Sequence, residues 1–395
     1  MKADGREMMR FFAVLVLFWS SLYVFLPVMA PFAQLRGASL QTVGWIISAY
    51  GLVQLVLRVP LGVWSDRTGR RQPFITYGFV ASLAGALGMG LVDNPLAMFF
   101  FRGLTGVTAS MWIMFTVLYA ARFAARDTAR AMGLAMMATN LTQLAATLGG
   151  GLAAERWGWQ APFMAAAVLA AAGWWLSRSL QEAPSAAGPA PDIKELLHMG
   201  RQPRLLTVSL LGAVLQCVPH MTVWGFTTVY AVALGAGPAQ LGWLSFGAGI
   251  AMAAAAYLSG SVLAPRFGSR LVVIGGFSLA ALGAVFFPFV SSVYSLMVLQ
   301  MAVSFGTALT FPTLMGLSIK AVPQERRATA MGFFQAIYSL GMFGGPLAGG
   351  LLAQHFGLAA VFTGAAGFAA AGAVAAFWLL SAAEVRRPAG RVLKG

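Results

Sequence analysis

The sequence predicts an all-α integral membrane fold of twelve transmembrane helices in two pseudo-symmetric six-helix bundles, and three observations predict it. The 395 residues are 59% hydrophobic and only 9% charged, with a mean hydropathy of +0.78, whereas a soluble domain carries about a quarter charged residues. Apolar runs of about 18 or more residues, enough to cross a roughly 30 Å hydrocarbon core as a helix, fill most of the chain. The second half also repeats the first in the same order.

The first bundle, 1–177, opens with the polar and basic stretch Met1 to Arg10, followed by an apolar run with no small-residue cleavage site. An uncleaved first helix is expected there. Its spans are 11–33, 42–64, 73–91, 96–121, 131–153 and 162–177. Residues 178–204 hold Pro184, Pro189, Pro191 and Pro203 among Ser, Ala and Gly, the composition of a cytoplasmic linker. Within it, Asp192 to Met199 is expected as a short surface helix. The second bundle, 205–380, has spans 205–233, 241–263, 271–289, 293–319, 328–353 and 358–380, and a basic cytoplasmic tail, 381–395, follows.

A net charge of +15 would point to nucleic acid in a soluble protein, but here the basic residues lie in short clusters between apolar spans. They follow the rule that Lys and Arg collect on the cytoplasmic side of a membrane. With both termini inside, 22 of the 26 fall in inner segments and only Arg36 and Arg156 in outer loops, while Arg58 and Arg102 lie within spans. A multi-pass protein of a bacterial-type inner membrane is therefore expected, with no nucleic-acid partner. Cys217 is the only cysteine, which excludes a disulfide framework within one chain. His198, His220 and His355 sit on separate segments, so no metal site, cofactor or catalytic cluster is expected, and the chain reads as no enzyme.

The internal repeat is gapless over 131–163 against 330–362, where 12 of 33 pairs are identical. It sets Ala131, Met132 and Gly133 on Ala330, Met331 and Gly332, and Gly150, Gly151 and Leu152 on Gly349, Gly350 and Leu351. A second register sets Gly44, Trp45, Gly51 and Gly62 on Gly242, Trp243, Gly249 and Gly260. Two copies in the same orientation are parallel repeats, related about the membrane normal, with a solute site expected between them at mid-depth.

At the inner end of the second span stands Gly62, Val63, Trp64, Ser65, Asp66, Arg67, Thr68, Gly69, Arg70, Arg71. Gly62 allows a neighbouring helix close, Gly69 permits a tight turn, and Asp66 can accept hydrogen bonds from a helix N-terminus or an arginine. A positive-inside loop that happens to hold an aspartate is the plain alternative. The segment resembles the GxxxDRxGRR signature of the major facilitator superfamily of secondary transporters, and the resemblance extends over essentially the whole chain. It implies that Gly62, Asp66, Arg67, Gly69, Arg70 and Arg71 latch the inner face closed in one conformation and release it in another. The eighth-span counterpart, Gly260 to Arg270, has no carboxylate in the place of Asp66, so an asymmetric latch is expected.

Arg102 and Gly106 resemble the family's RxxxG element, which implies a link to proton coupling. The alternative is a structural arginine that snorkels or pairs with Asp93. Arg58 either reaches an anionic solute as a clamp or snorkels into the latch; the eighth span has Ala256 where a second arginine would stand. Gly345, Pro346, Gly349 and Gly350 resemble the helix-bending GPxxGG element of an efflux or multidrug-like branch, although that branch carries it in the fifth span. Tyr23, Gln54, Asn140, Gln143, Gln216, His220, Gln335 and Tyr338 are the remaining polar candidates, each with interhelical glue as its plain reading. His220 is the best placed to titrate near neutral pH.

None of the eleven carboxylates lies in the middle of a span. A buried acid is what pairs a cationic solute and carries its exchanged proton, so a neutral or anionic small solute is expected to move by alternating access, in a functional monomer, with membrane lipid as the surroundings and a coupling proton as a further candidate. Two alternatives stay open: a proton-coupled drug or metabolite exporter, and a solute sensor or lipid-handling protein on the same fold.

Overall fold

The computed structural model describes residues 5–123, 125–182, 200–320, 322–323 and 326–380, with the side chains of Val59, Asp66, Ala125, Arg126, Ala129 and Ala328 outside that description. The expected surface helix at Asp192 to Met199 and the tail 381–395 also fall outside it.

Helical rods run almost end to end: α1 (Gly5–Leu35), α2 (Leu40–Thr68), α3 (Gln72–Leu91), α4 (Pro95–Ala120), α5 (Ala125–Trp157), α6 (Ala161–Ser177), α7 (Pro203–Ala233), α8 (Pro238–Phe267), α9 (Ser269–Val285), α10 (Val293–Lys320), α11 (Arg327–Phe356) and α12 (Leu358–Leu379). Ten of these segments are long and apolar enough to cross a membrane. The other two depart for opposite reasons. Thr139, Asn140, Thr142, Gln143 and Thr147 dilute the charge-free middle of α5, which is 33 residues long, and α6 is apolar throughout but has 17 residues.

The rods sort into two groups of six. In the first, α1 packs on α5 and α6, α4 on α2 and α3, and α3 on α6; in the second, α7 packs on α10, α11 and α12, α8 on α10, and α9 on α10 and α12. Two pairs make the most extensive contacts between the groups, α2 with α11 and α5 with α8, and α1 also touches α7 and α8. The lead helix of each group is broken at mid-length. In α1 the break falls at Tyr23 to Phe25, ahead of Pro27. In α7 it is a π turn, Thr222–Phe226, just after Pro219. Irregular backbone at membrane depth is tolerated where it lines a cavity.

The end where α1 begins, here the near end, is tied together by charge. Arg122 bonds Glu7 at 3.0 Å and the Gln181 carbonyl at 2.6 Å, and Glu182 accepts the Arg71 and Gln72 N–H groups at 2.8 Å, capping α3. At the far end, α5 and α11 stop at Gly158 and Gly357, whose φ of 90° and 84° lie in the left-handed region that glycine adopts freely.

Candidate functional site: a cavity between two glycine seams

The two crossing pairs form matched seams. A Cβ added to Gly44 on α2 would lie 2.9 Å from the Gly350 Cα on α11, and one added to Gly151 on α5 would lie 2.6 Å from the Gly242 Cα on α8. No side chain larger than hydrogen fits at either crossing without moving backbone. One turn or two further in, Gly51 meets the Met342 and Phe343 backbone, and Gly249 meets Leu144. The repeat sets Gly44 on Gly242 and Gly151 on Gly350, so one contact is the other with the halves exchanged.

Helix ends complete the far closure. Glu155 on α5 accepts the Ala239 N–H at the start of α8 at 3.2 Å, and Gln354 on α11 accepts the Gln41 N–H at the start of α2 at 3.5 Å. Glu155 and Gln354 are repeat counterparts, as are Ala239 and Gln41. Near a helix N-terminus, unpaired N–H groups favour an acceptor, and a carboxylate more than an amide. Arg36 and Asp93 pair across neighbouring loops at the same end.

Toward the near end the seams part. The α8 face that meets α5 at Gly242 and Gly249 continues through Ala253, Ala256 and Gly260, all exposed, and the matching α5 face continues through exposed Asn140, Met137 and Gly133. Among the described residues, nothing lies within 4 Å of a Cβ built at Gly62, Gly133 or Gly260. The close neighbour expected at Gly62 is absent in this conformation, because the near ends of the bundles stand apart.

Between the seams lies a cavity of ≈ 350 Å³ lined by eight helices. Six of the sequence candidates line it: Tyr23, Arg102, Asn140, Gln143, Gln216 and His220. Arg102 is 5% exposed. One of its terminal N–H groups donates to Thr105 Oγ1 at 3.1 Å, and its guanidinium lies 4.5 Å from the Tyr50 ring centre and 5.7 Å from that of Phe25. It neither snorkels nor pairs with Asp93, whose partner is Arg36. His220 Nδ1 lies 2.9 Å from the Gln216 carbonyl oxygen; a carbonyl only accepts, so Nδ1 carries the proton. Tyr23 and Trp224, from the two broken helices, meet edge to face at 5.7 Å across the bundle boundary.

The other four polar candidates form a separate group. Arg58 bonds Gln54 on its own helix, and across the boundary it donates to Gln335 Oε1 at 3.3 Å and Tyr338 Oη at 3.0 Å. It therefore neither faces the cavity nor joins the near-end loop. A Cβ added to Gly345 would lie 2.8 Å from the Cys217 backbone, and one added to Gly349 would lie 3.0 Å from the Phe226 ring, so the glycines of this element seat α11 on α7, with Pro346 inside the helix.

Sequence reasoning missed Tyr50, Trp224, Met252 and Phe311 in the cavity wall. Tyr50 had a signal, since it precedes Gln54 and Arg58 at four-residue steps on one face. Missed too were Glu155 and Gln354. Among the described residues of the wall, Arg102 is the only one with a fixed charge, and none is a carboxylate.

The family model described as Major Facilitator Superfamily matches residues 11–232 and again 209–394. An uncharacterised MFS-type transporter of Methanocaldococcus jannaschii is 23% identical over 85% of this chain and 88% of its own length, and a probable sugar efflux transporter of Mannheimia succiniciproducens is 24% identical over 85% and 83%. Among solved structures, a bacterial homologue of the human lysosomal transporter Spinster, crystallised inward-facing and occupied, superposes with a TM-score of 0.80 at 16% identity, over 96% of this chain and 98% of that one. With family models covering both halves and the fold in agreement, this chain belongs to the major facilitator superfamily.

Proposed function

We propose that this protein is a secondary active transporter that carries a small neutral or anionic solute by alternating access, in a bacterial-type inner membrane with both termini cytoplasmic. One observation carries the reading: a cavity between pseudo-symmetric bundles, sealed at the far end by two glycine seams and parted at the near end. Reversing which end is sealed would expose the same wall to the other side, which is alternating access around a fixed site. The location of 22 of 26 basic residues supports a cytoplasmic near end, which makes the present state inward-open. A wall bearing Arg102 and no carboxylate supports a neutral or anionic solute. Export is the second reading, favoured by the sugar efflux relative.

In the opposite state Gly62 and Gly260 become the close-packing positions, and Asp66 with Arg67, Arg70 and Arg71 holds the near end shut. Exchange of labelled solute in proteoliposomes tests the transport reading, because a sensor would bind without exchanging it. Asp66→Asn should impair exchange while leaving folded protein in the membrane, and unimpaired exchange would remove the gate from this loop.

A further inference from the structure

We propose that the deep end of the cavity is an anion subsite centred on Arg102, built for an amphipathic monoanion whose carboxylate or similar head docks on the guanidinium while its apolar body trails toward the near end. This deepens the transport reading and rests on it. A guanidinium held in a membrane interior is costly, and is normally offset by a partner. Arg102 has little. Its Nε–H is buried without a hydrogen-bond partner among the described residues, a terminal N–H donates to Thr105 in the next turn of its own helix, and its guanidinium lies over the rings of Tyr50 and Phe25.

Four carboxylates among the described residues are engaged elsewhere: Glu7 on Arg122, Asp93 on Arg36, Glu155 on α8 and Glu182 on α3. Arg58 is engaged by Gln54, Gln335 and Tyr338. The wall thus holds one uncompensated positive charge. A dianion would leave a second charge unmatched, and the ammonium of a zwitterion or a cation would find no acid in the wall.

The head and body are placed by depth. Arg102 lies seven residues from the far end of α4, about 10 Å down at 1.5 Å per residue. Toward the near end the wall carries no charge: Met252, Ala253, Ala256, Ala308, Phe311 and Pro312 are apolar, and Asn140, Gln143 and Gln216 add neutral polar groups at similar depth. Ala256 is eighteen residues from the far end of α8, about 27 Å down. Charge toward the sealed end and an uncharged, mainly apolar wall toward the mouth fit a solute with that polarity.

The test uses purified protein and three probes of one shape: hydrocinnamate, its amide and the matching primary amine. Binding is read from tryptophan fluorescence, to which Trp224 in the wall should contribute. Hydrocinnamate should bind tighter than the amide by roughly tenfold or more, as a charge-assisted hydrogen bond in a low-dielectric site allows, and the amine weakest. Arg102→Gln should erase that preference while the amide still binds, and Arg102→Lys should keep part of it. The subsite is overturned if the amide or amine binds as tightly as the acid, if no probe binds, or if the preference survives Arg102→Gln and follows Arg58→Gln instead. Hydrocinnamate that binds through Arg102 but is never exchanged in proteoliposomes leaves the subsite standing and overturns transport.

Discussion

The seam between α2 and α11 and the seam between α5 and α8 are copies of one another in sequence, and they differ in how far they run. The first is closed from Gly44 to Arg58, about 21 Å of helix, and the second from Gly151 to Leu144, about 10 Å. At the far end both use the same glycines. The divergence begins where Gln54, Arg58, Gln335 and Tyr338 in one seam correspond to Met252, Ala256, Met136 and Thr139 in the other. A set that can bond across the boundary became a set that mostly cannot, and there the wall gapes. Close backbone packing shapes both seams, and polar side chains decide how deep each one zips.

Substitutions at the seam glycines, at Arg58 and at Glu155 would break or sharpen that comparison. Gly44→Leu or Gly242→Leu should have the largest effect, because each new side chain meets backbone that cannot yield. The far end should open, and spin labels on the exposed positions Trp157 and Ala233 should move apart; an unchanged distance would show that the glycines do not set the closure. Arg58→Ala comes next. Interhelical hydrogen bonds in membranes are worth about 0.6 kcal/mol on average and about 1.7 at most, so losing two should shift the balance between conformations by roughly tenfold. A double-mutant cycle with Gln335→Ala or Tyr338→Ala checks this, since additive effects would mean that Arg58 does not pin the seam. The smallest effect belongs to Glu155. Glu155→Gln reproduces what Gln354 already does and should be nearly silent, while Glu155→Ala should loosen the far end by an amount the same labels can detect. Equal behaviour of the two variants would dismiss the capping role.

Much of this was legible in the sequence. The spans, the repeat and six cavity residues were found from apolar length, self-similarity and polar groups at membrane depth. The repeat even picked out Gly44, Gly151, Gly242 and Gly350 without revealing that they touch. That contact joins residues some 90 to 300 positions apart, and periodicity within one helix carries no information about which helix lies opposite. Arg58 shows the same limit: an arginine in a span must find a partner, but whether that partner is a solute, a headgroup or a glutamine on α11 depends on packing between bundles. Glu155 escaped notice because an exposed carboxylate at a helix end looks ordinary until another helix begins beside it.

The exchange symmetry of the glycine contacts has a consequence for assembly. Gly44 meets Gly350, and its counterpart Gly242 meets Gly151, so the surface joining the two halves is self-complementary: each half offers the same pair of positions and receives the same pair. That is the geometry of an isologous interface, the kind two identical subunits make around a two-fold axis. The protein is one chain whose internal boundary has the form of a homodimer contact, and the Arg58 group marks a place where the two partners have ceased to be identical.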